Sequence, residues 1–178
     1  VPRTLYQKHF PILTRNKIKR FSNIAVFDLN SDRINMVIVN EHGFLLDIKV
    51  KRFSDVTSHG FSENKANDIR RKALKELVEY AVNHGAKTFV AERLTKTNTK
   101  TRNKTANRKI NKFALRQYIE HLKVLIGRAN GKLYLANPAY TSVAAKMISR
   151  DLGLDIHTAS TYILALRYIK THKHSPKP

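Results

Sequence analysis

The chain has 178 residues, enough for one domain with a single core that buries roughly 70% of its unfolded surface. Its 34 Lys and Arg against 13 Asp and Glu leave a net charge of +21 beside 42% hydrophobic residues, which describes a globular, strongly basic protein suited to a polyanionic partner. No apolar run approaches the roughly 18 residues of a membrane span, and no charged-then-apolar signal pattern opens the chain. With no cysteine, disulfides, thiol catalysis and a cysteine-based zinc ribbon are excluded, and a cytoplasmic setting without a membrane partner is the expectation.

Residues 1–22 carry six Lys and Arg and no acid, with two prolines and no hydrophobic period, which predicts a basic arm or the stub of a longer protein. Ile24 to Leu29 is apolar on both faces apart from Asp28, the pattern of a central buried strand. Ile34–Val39 and Phe44–Phe53 follow as strands around the turn Asn40-Glu41-His42-Gly43, so the first three strands form an antiparallel meander. From Glu63 to His84 two apolar ridges, Ala73, Leu77, Ala81 and Leu74, Val78, Val82, predict an amphipathic helix with Ser62 as its cap and Gly85 as its stop. Thr88 to Ala91 is a short strand ending at Glu92. Leu115, Tyr118, Leu122, Leu125 and Ala129 mark a second long helix that Gly131 ends, and Leu133–Ala136 is a fifth strand. A short helix within Ser142–Leu152 and a last one from Ile156 to about Lys170 close the domain, with Gly153 between them and a basic tail over 171–178. Strands alternate with helices after the meander, so the fourth and fifth should run parallel to the first. This order is similar to that of an RNase H-like domain spanning 23–170.

Between the fourth strand and the second long helix, Thr, Asn, Lys and Arg alternate with almost no apolar side chain. Residues 93–119 hold nine Lys and Arg and no acid, and the part over 95–112 reads as a mobile loop. A solvated tether is one explanation. Nucleic acid is the favoured one, with Lys96, Lys100, Arg102, Lys104, Arg108, Lys109 and Lys112 displacing counterions from phosphate.

Three carboxylates stand out. An ionised Asp28 inside an apolar strand is costly unless paired or bound to a metal, Glu92 ends a parallel strand, and Asp155 opens the last helix. Should the mixed sheet bring them together, their hard oxygens suit Mg²⁺ or Mn²⁺, and two such ions roughly 3.5–4 Å apart support in-line attack on a phosphodiester. Each also has a plainer reading: a buried cation beside Asp28, a strand-end salt bridge for Glu92, an N-cap for Asp155, in which case Asp151 is the next candidate. His157 is placed either to polarise a water or phosphate or simply to hydrogen-bond at the helix start. His172 and His174 sit in a basic stretch and suggest no metal. No Gly-rich phosphate loop is present.

Four segments resemble the TnpB (OrfB) proteins of small insertion sequences, whose RuvC-like nuclease domain is shared with type V CRISPR effectors. Ile24-Ala25-Val26-Phe27-Asp28-Leu29-Asn30 is similar to the strand with the family's catalytic Asp, and Phe89-Val90-Ala91-Glu92-Arg93-Leu94 to the strand with its Glu. Asn137-Pro138-Ala139-Tyr140-Thr141-Ser142 is the most specific match, and Asp155-Ile156-His157-Thr158-Ala159-Ser160 resembles the closing segment that supplies the third acid. Two features depart from the pattern. Only Val143–Leu154 stands where the family has a four-cysteine zinc ribbon, which implies a ribbonless branch, and His157 stands where Asn is usual. RNA guidance is not implied for this polypeptide by itself, because the family's recognition modules precede the nuclease domain.

The resemblance implies an α/β, RuvC-type RNase H-like fold: a mixed five-stranded sheet, three antiparallel strands then parallel ones, flanked by helices. It implies a mobile-element endonuclease that hydrolyses DNA with two Mg²⁺ or Mn²⁺ ions on Asp28, Glu92 and Asp155, and no zinc. DNA is the expected partner, with RNA or an RNA–DNA hybrid as alternatives. A catalytically idle nucleic-acid-binding protein and a RuvC-like junction resolvase are the rival readings.

Overall fold

Strand β1 (Asn23–Leu29) lies at the middle of a five-stranded sheet whose order is β3-β2-β1-β4-β5 in a computed structural model that describes residues 23–93, 115–137 and 141–173. It is antiparallel to β2 (Arg33–Val39), which is antiparallel to β3 (Leu45–Arg52), and parallel to β4 (Ala86–Glu92), which is parallel to β5 (Lys132–Ala136). The helices are α1 (Glu63–Asn83), α2 (Leu115–Arg128), α3 (Thr141–Leu152) and α4 (Ile156–Lys173). The predicted mixed sheet and its element order are both present. The basic segment over 95–112, all seven of its selected Lys and Arg, and the arm over 1–22 lie outside the described residues. No helix among the described residues is long and apolar enough to cross a membrane.

The two-residue period of a strand divides the sheet between two cores. Ala25, Phe27, Leu29, Ile34, Met36, Ile38, Phe89 and Ala91 face α1 and α2, which contribute Leu74, Leu77, Leu122 and Ile126. On the opposite face Ile24, Val26, Val37, Val39 and Val90 meet Tyr162, Leu164, Ala165 and Ile169 of α4. Helix α4 is buried around most of its girth, because α3 packs on its outer side through Ala145 against Ala159 and Ile163.

Several local expectations change. Ser62 takes the N-cap position of α1, yet its side chain makes no capping hydrogen bond. Val82, expected in an apolar ridge, is 37% exposed, whereas Arg70 is only 2% exposed. Its guanidinium donates from Nε (3.3 Å) and Nη2 (3.0 Å) to the Ser31 carbonyl in the β1–β2 turn and from Nη1 to Asn67 Oδ1 at 3.4 Å. These carbonyl acceptors make a buried cation tolerable where apolar periodicity has no place for one. A single turn of 3-10 helix, Ser54–Thr57, follows β3 unannounced by any apolar period.

The stop after α2 is divided between two residues. Asn130 carries the left-handed backbone (φ 54°), as Asn tolerates, while Gly131 is required by space. A Cβ on Gly131 would lie 2.6 Å from the Phe89 ring and 2.9 Å from Ile126, whereas one on Gly127, in the last turn of α2, would meet nothing within 4 Å. Gly131→Ala is therefore expected to lower the unfolding free energy by about 1–3 kcal/mol through overpacking. Gly127→Ala should raise it by up to about 1 kcal/mol through helix propensity. Urea titration of both variants checks the pair, and equal effects of one sign would contradict the packing argument.

Candidate active site

Strand parity and register bring the first two acids together. Val26 and Val90 are register partners that both face α4, so Asp28 and Glu92, each two residues further on, point to that same side. The last paired residues are Phe27 and Ala91, which leaves Asp28 and Glu92 side by side at the carboxyl ends of adjacent parallel strands, about 4.8 Å apart in the backbone. Open α/β sheets commonly bind ligands at such strand ends. The Asp28 side chain is 14% exposed. Burial first, and the Asp28 charge second, push the Glu92 carboxyl up to about 7.

The N-terminus of α4 closes over this pair. Asp155 caps the helix: its Oδ1 accepts the backbone N–H groups of His157 (3.0 Å) and Thr158 (3.2 Å), and its Oδ2 accepts the Thr158 hydroxyl at 2.5 Å. Burial acts against its ionised form, but those three hydrogen bonds, Thr158's hydroxyl foremost, and the His157 charge hold its pKa below the usual carboxylate value. The expected N-cap role is thus present in full. His157 Nδ1 lies 3.7 Å from Asp28 Oδ2, too far for a hydrogen bond and within ion-pair distance once His157 is protonated. The Asp28 carboxylate raises the His157 pKa, with help from Asp155 and against burial and the charge of Arg33.

One link was not anticipated from the sequence. Asn35, the register partner of Asp28 on β2, donates from Nδ2 to Thr158 Oγ1 at 3.2 Å, and both residues are 1% exposed. A hydrogen-bonded chain Asn35–Thr158–Asp155, buried at its first two members, therefore fastens the start of α4 to the strand beside Asp28. The available signal was Asn35 itself, a polar residue on the inward face of the run Arg-Ile-Asn-Met-Val-Ile-Val, which is the same kind of anomaly that singles out Asp28. Among the described residues no three His, Cys, Asp or Glu side chains form a ready-made metal cluster. Asp28 and Glu92 lie side by side, His157 touches Asp28, and Asp155 is tied through Thr158 to Asn35, the register partner of Asp28, rather than to either acid.

No family model matches the sequence. An uncharacterized protein of Saccharolobus solfataricus is 36% identical over 171 residues, covering 94% of this chain and 46% of its own length. Two uncharacterized proteins of Aeropyrum pernix are 26% and 27% identical, covering 99% of this chain and 50% and 43% of theirs. The chain thus spans about half the length of the curated relatives it matches. Among solved structures, Thermus thermophilus RuvC in complex with a Holliday junction substrate aligns with a TM-score of 0.57 at 15% identity, over 88% of this chain and 99% of that one. A second structure of Thermus thermophilus RuvC gives 0.56 at 14% identity over the same shares. The fold is that of RuvC, an RNase H-like mixed sheet flanked by helices.

Proposed function

We propose that this domain is a metal-dependent endonuclease that hydrolyses DNA phosphodiester bonds at Asp28, Glu92 and Asp155. The observation that carries the reading is the carboxylate pair at the ends of β1 and β4, in which burial and a like charge raise the Glu92 pKa to about 7. Such a pair favours a divalent cation, because a counter-charge removes the repulsion that protonation otherwise relieves. Asp28 and Glu92 would hold the ions. Asp155 would complete the set: an ionised carboxylate has about four lone-pair sites, and three are used by its capping bonds. Bound Mg²⁺ or Mn²⁺ supplies a nucleophilic water and stabilises the charge that develops on the leaving oxygen. His157, whose pKa the neighbouring Asp28 carboxylate raises, would orient that carboxylate and, when protonated, present a cation near phosphate.

The TnpB-like segments support a mobile-element nuclease as the finer reading. A junction resolvase is the second, supported by the RuvC relative seen with a Holliday junction substrate, 99% of whose length aligns here. The strongly basic composition supports DNA as the partner, and the segment over 95–112 is proposed as its clamp.

Cleavage of labelled single-stranded, duplex and four-way-junction DNA with Mn²⁺ or EDTA tests the proposal. Asp28→Asn and Glu92→Gln should each abolish metal-dependent cleavage while binding stays equal or tightens, since each removes a negative charge near phosphate. Cutting confined to the junction would favour the resolvase, and binding with no metal-dependent cutting would overturn the nuclease reading. Asp155→Asn keeps the cap, since Asn caps about as well as Asp, and removes the ligand charge, so it should lose cleavage at nearly unchanged stability. Asp155→Ala that lost about 1 kcal/mol of stability with cleavage intact would leave Asp155 a cap alone.

The Glu92 pKa carries its own test in EDTA. A folded-state value of about 7 against 4.5 means the native state holds the proton more tightly, so stability declines as pH rises from about 4.5 to 7 and the loss is complete above that. Glu92→Gln lacks this penalty. It should melt about 3 °C or more above wild type at pH 8 and close to it at pH 4, and Mn²⁺ should narrow the gap at pH 8. Equal differences at both pH values would contradict the coupled pair.

Neutralising several of Lys96, Lys100, Arg102, Lys104, Arg108, Lys109 and Lys112 should weaken binding uniformly across sequences. The log–log salt slope should flatten by about 0.9 for each lost duplex contact. A tether would leave affinity and slope unchanged.

A further inference from the structure

On the α4 side of the sheet, a cleft of about 470 Å³ opens between β5 and the last turns of α4, walled by Tyr134, Ala136 and Asn137 on one side and Arg167, Lys170 and His172 on the other. Three rings meet in it. Tyr168 stacks on His172 with centroids 4.1 Å apart at 28°, Tyr134 tilts against Tyr168 at 5.2 Å, and it meets the His172 ring edge-on at 5.3 Å. The His172 ring is fixed, because its Nδ1–H donates to the Tyr168 carbonyl at 2.9 Å. Tyr134 and Tyr168 are half-buried, while His172 and Lys170 are exposed. β5 is an edge strand of the sheet.

An aromatic cluster usually completes a core, but this one ends in an exposed, oriented ring flanked by cations. Rings offer π-faces to bases of any identity, and the neighbouring Arg and Lys offer charge to phosphates, the combination that holds single strands. One wall of the cleft is the strand that pairs with the Glu92 strand. Ala136 is the register partner of Glu92, and its carbonyl accepts the Arg93 N–H at 2.7 Å. Tyr134 lies two residues back along β5 on the same face, about 7 Å away by strand rise.

We infer that this cleft seats a single-stranded segment of DNA, with a base stacked on the exposed His172 ring, which Tyr168 and Tyr134 back, and phosphates against Lys170 and Arg167, and directs that strand to Glu92. The inference rests on the nuclease reading for its purpose, yet binding tests it separately. Anisotropy of the full chain in EDTA would compare a labelled single strand with an abasic strand of equal length. His172→Ala should weaken binding to the base-bearing strand about tenfold and leave the abasic strand unaffected, whereas His172→Phe should restore affinity. Lys170→Glu should weaken both strands. Wild-type affinity in both His172→Ala and Lys170→Glu, or equal loss on the two strands in His172→Ala at unchanged melting temperature, would overturn the cleft assignment. A wild-type chain that bound in this pattern but never cut with Mn²⁺ would overturn the nuclease reading and leave the cleft in place.

Discussion

The parallel pairing of β1 with β4 decides where the charges of this molecule meet. Once Phe27 lies beside Ala91, the period of the strand leaves no freedom for the next residues: Asp28 and Glu92 must emerge together, on the face that α4 covers. A one-residue slip would turn one of them into the largely apolar core shared with α1 and α2, where an ionised carboxylate is costly. The apolar pairs behind them, Val26 with Val90 and Ala25 with Phe89, hold the register against the repulsion at the strand ends. The sheet order then makes β1 a neighbour of both β2 and β4, so Asp28 adjoins Asn35 on one side and Glu92 on the other.

The same arrangement explains what was legible in the sequence. Strands with an apolar run on both faces have only central places in a sheet to occupy, and the alternation of strand and helix after residue 60 dictated parallel partners. Asp28 was visible because it interrupts such a run. Asn35 interrupts its strand in the same manner and was passed over, because a neutral amide draws less attention than a charge although burial demands a partner for both. Arg70 was hidden for another reason: its acceptors are main-chain and amide oxygens, and no sequence pattern reports which carbonyls a turn exposes. Gly131 looked like a helix stop and is chiefly a gap for the Phe89 ring, a tertiary contact across the domain.

Asp155 shows why a site assignment from spacing reaches only part of the chemistry. The helix pattern places Asp155 at the start of α4, and the cap geometry follows from its residue type. That its carboxylate would also be tied through Thr158 to Asn35 depends on α4 crossing the sheet at β1 and β2, which is a property of the packed molecule. The consequence is a preorganised helix start. The main chain of residues 155–158 is held by the cap and by the Thr158–Asn35 bond rather than by Asp28 or Glu92.

Electrostatics gives the two proposed DNA contacts different work. A chain with a net charge of +21 attracts phosphate over its whole surface, and that attraction weakens with salt and carries no positional information. Where no metal is bound, Asp28 and Glu92 work against that attraction at the strand ends, so a phosphate gains least from charge where hydrolysis is proposed to occur. Contacts that do not depend on charge are best suited to hold a strand there. The proposed cleft offers one: stacking on the His172 ring is indifferent to the acids' charge state, and the hydrogen bond to the Tyr168 carbonyl has already oriented that ring.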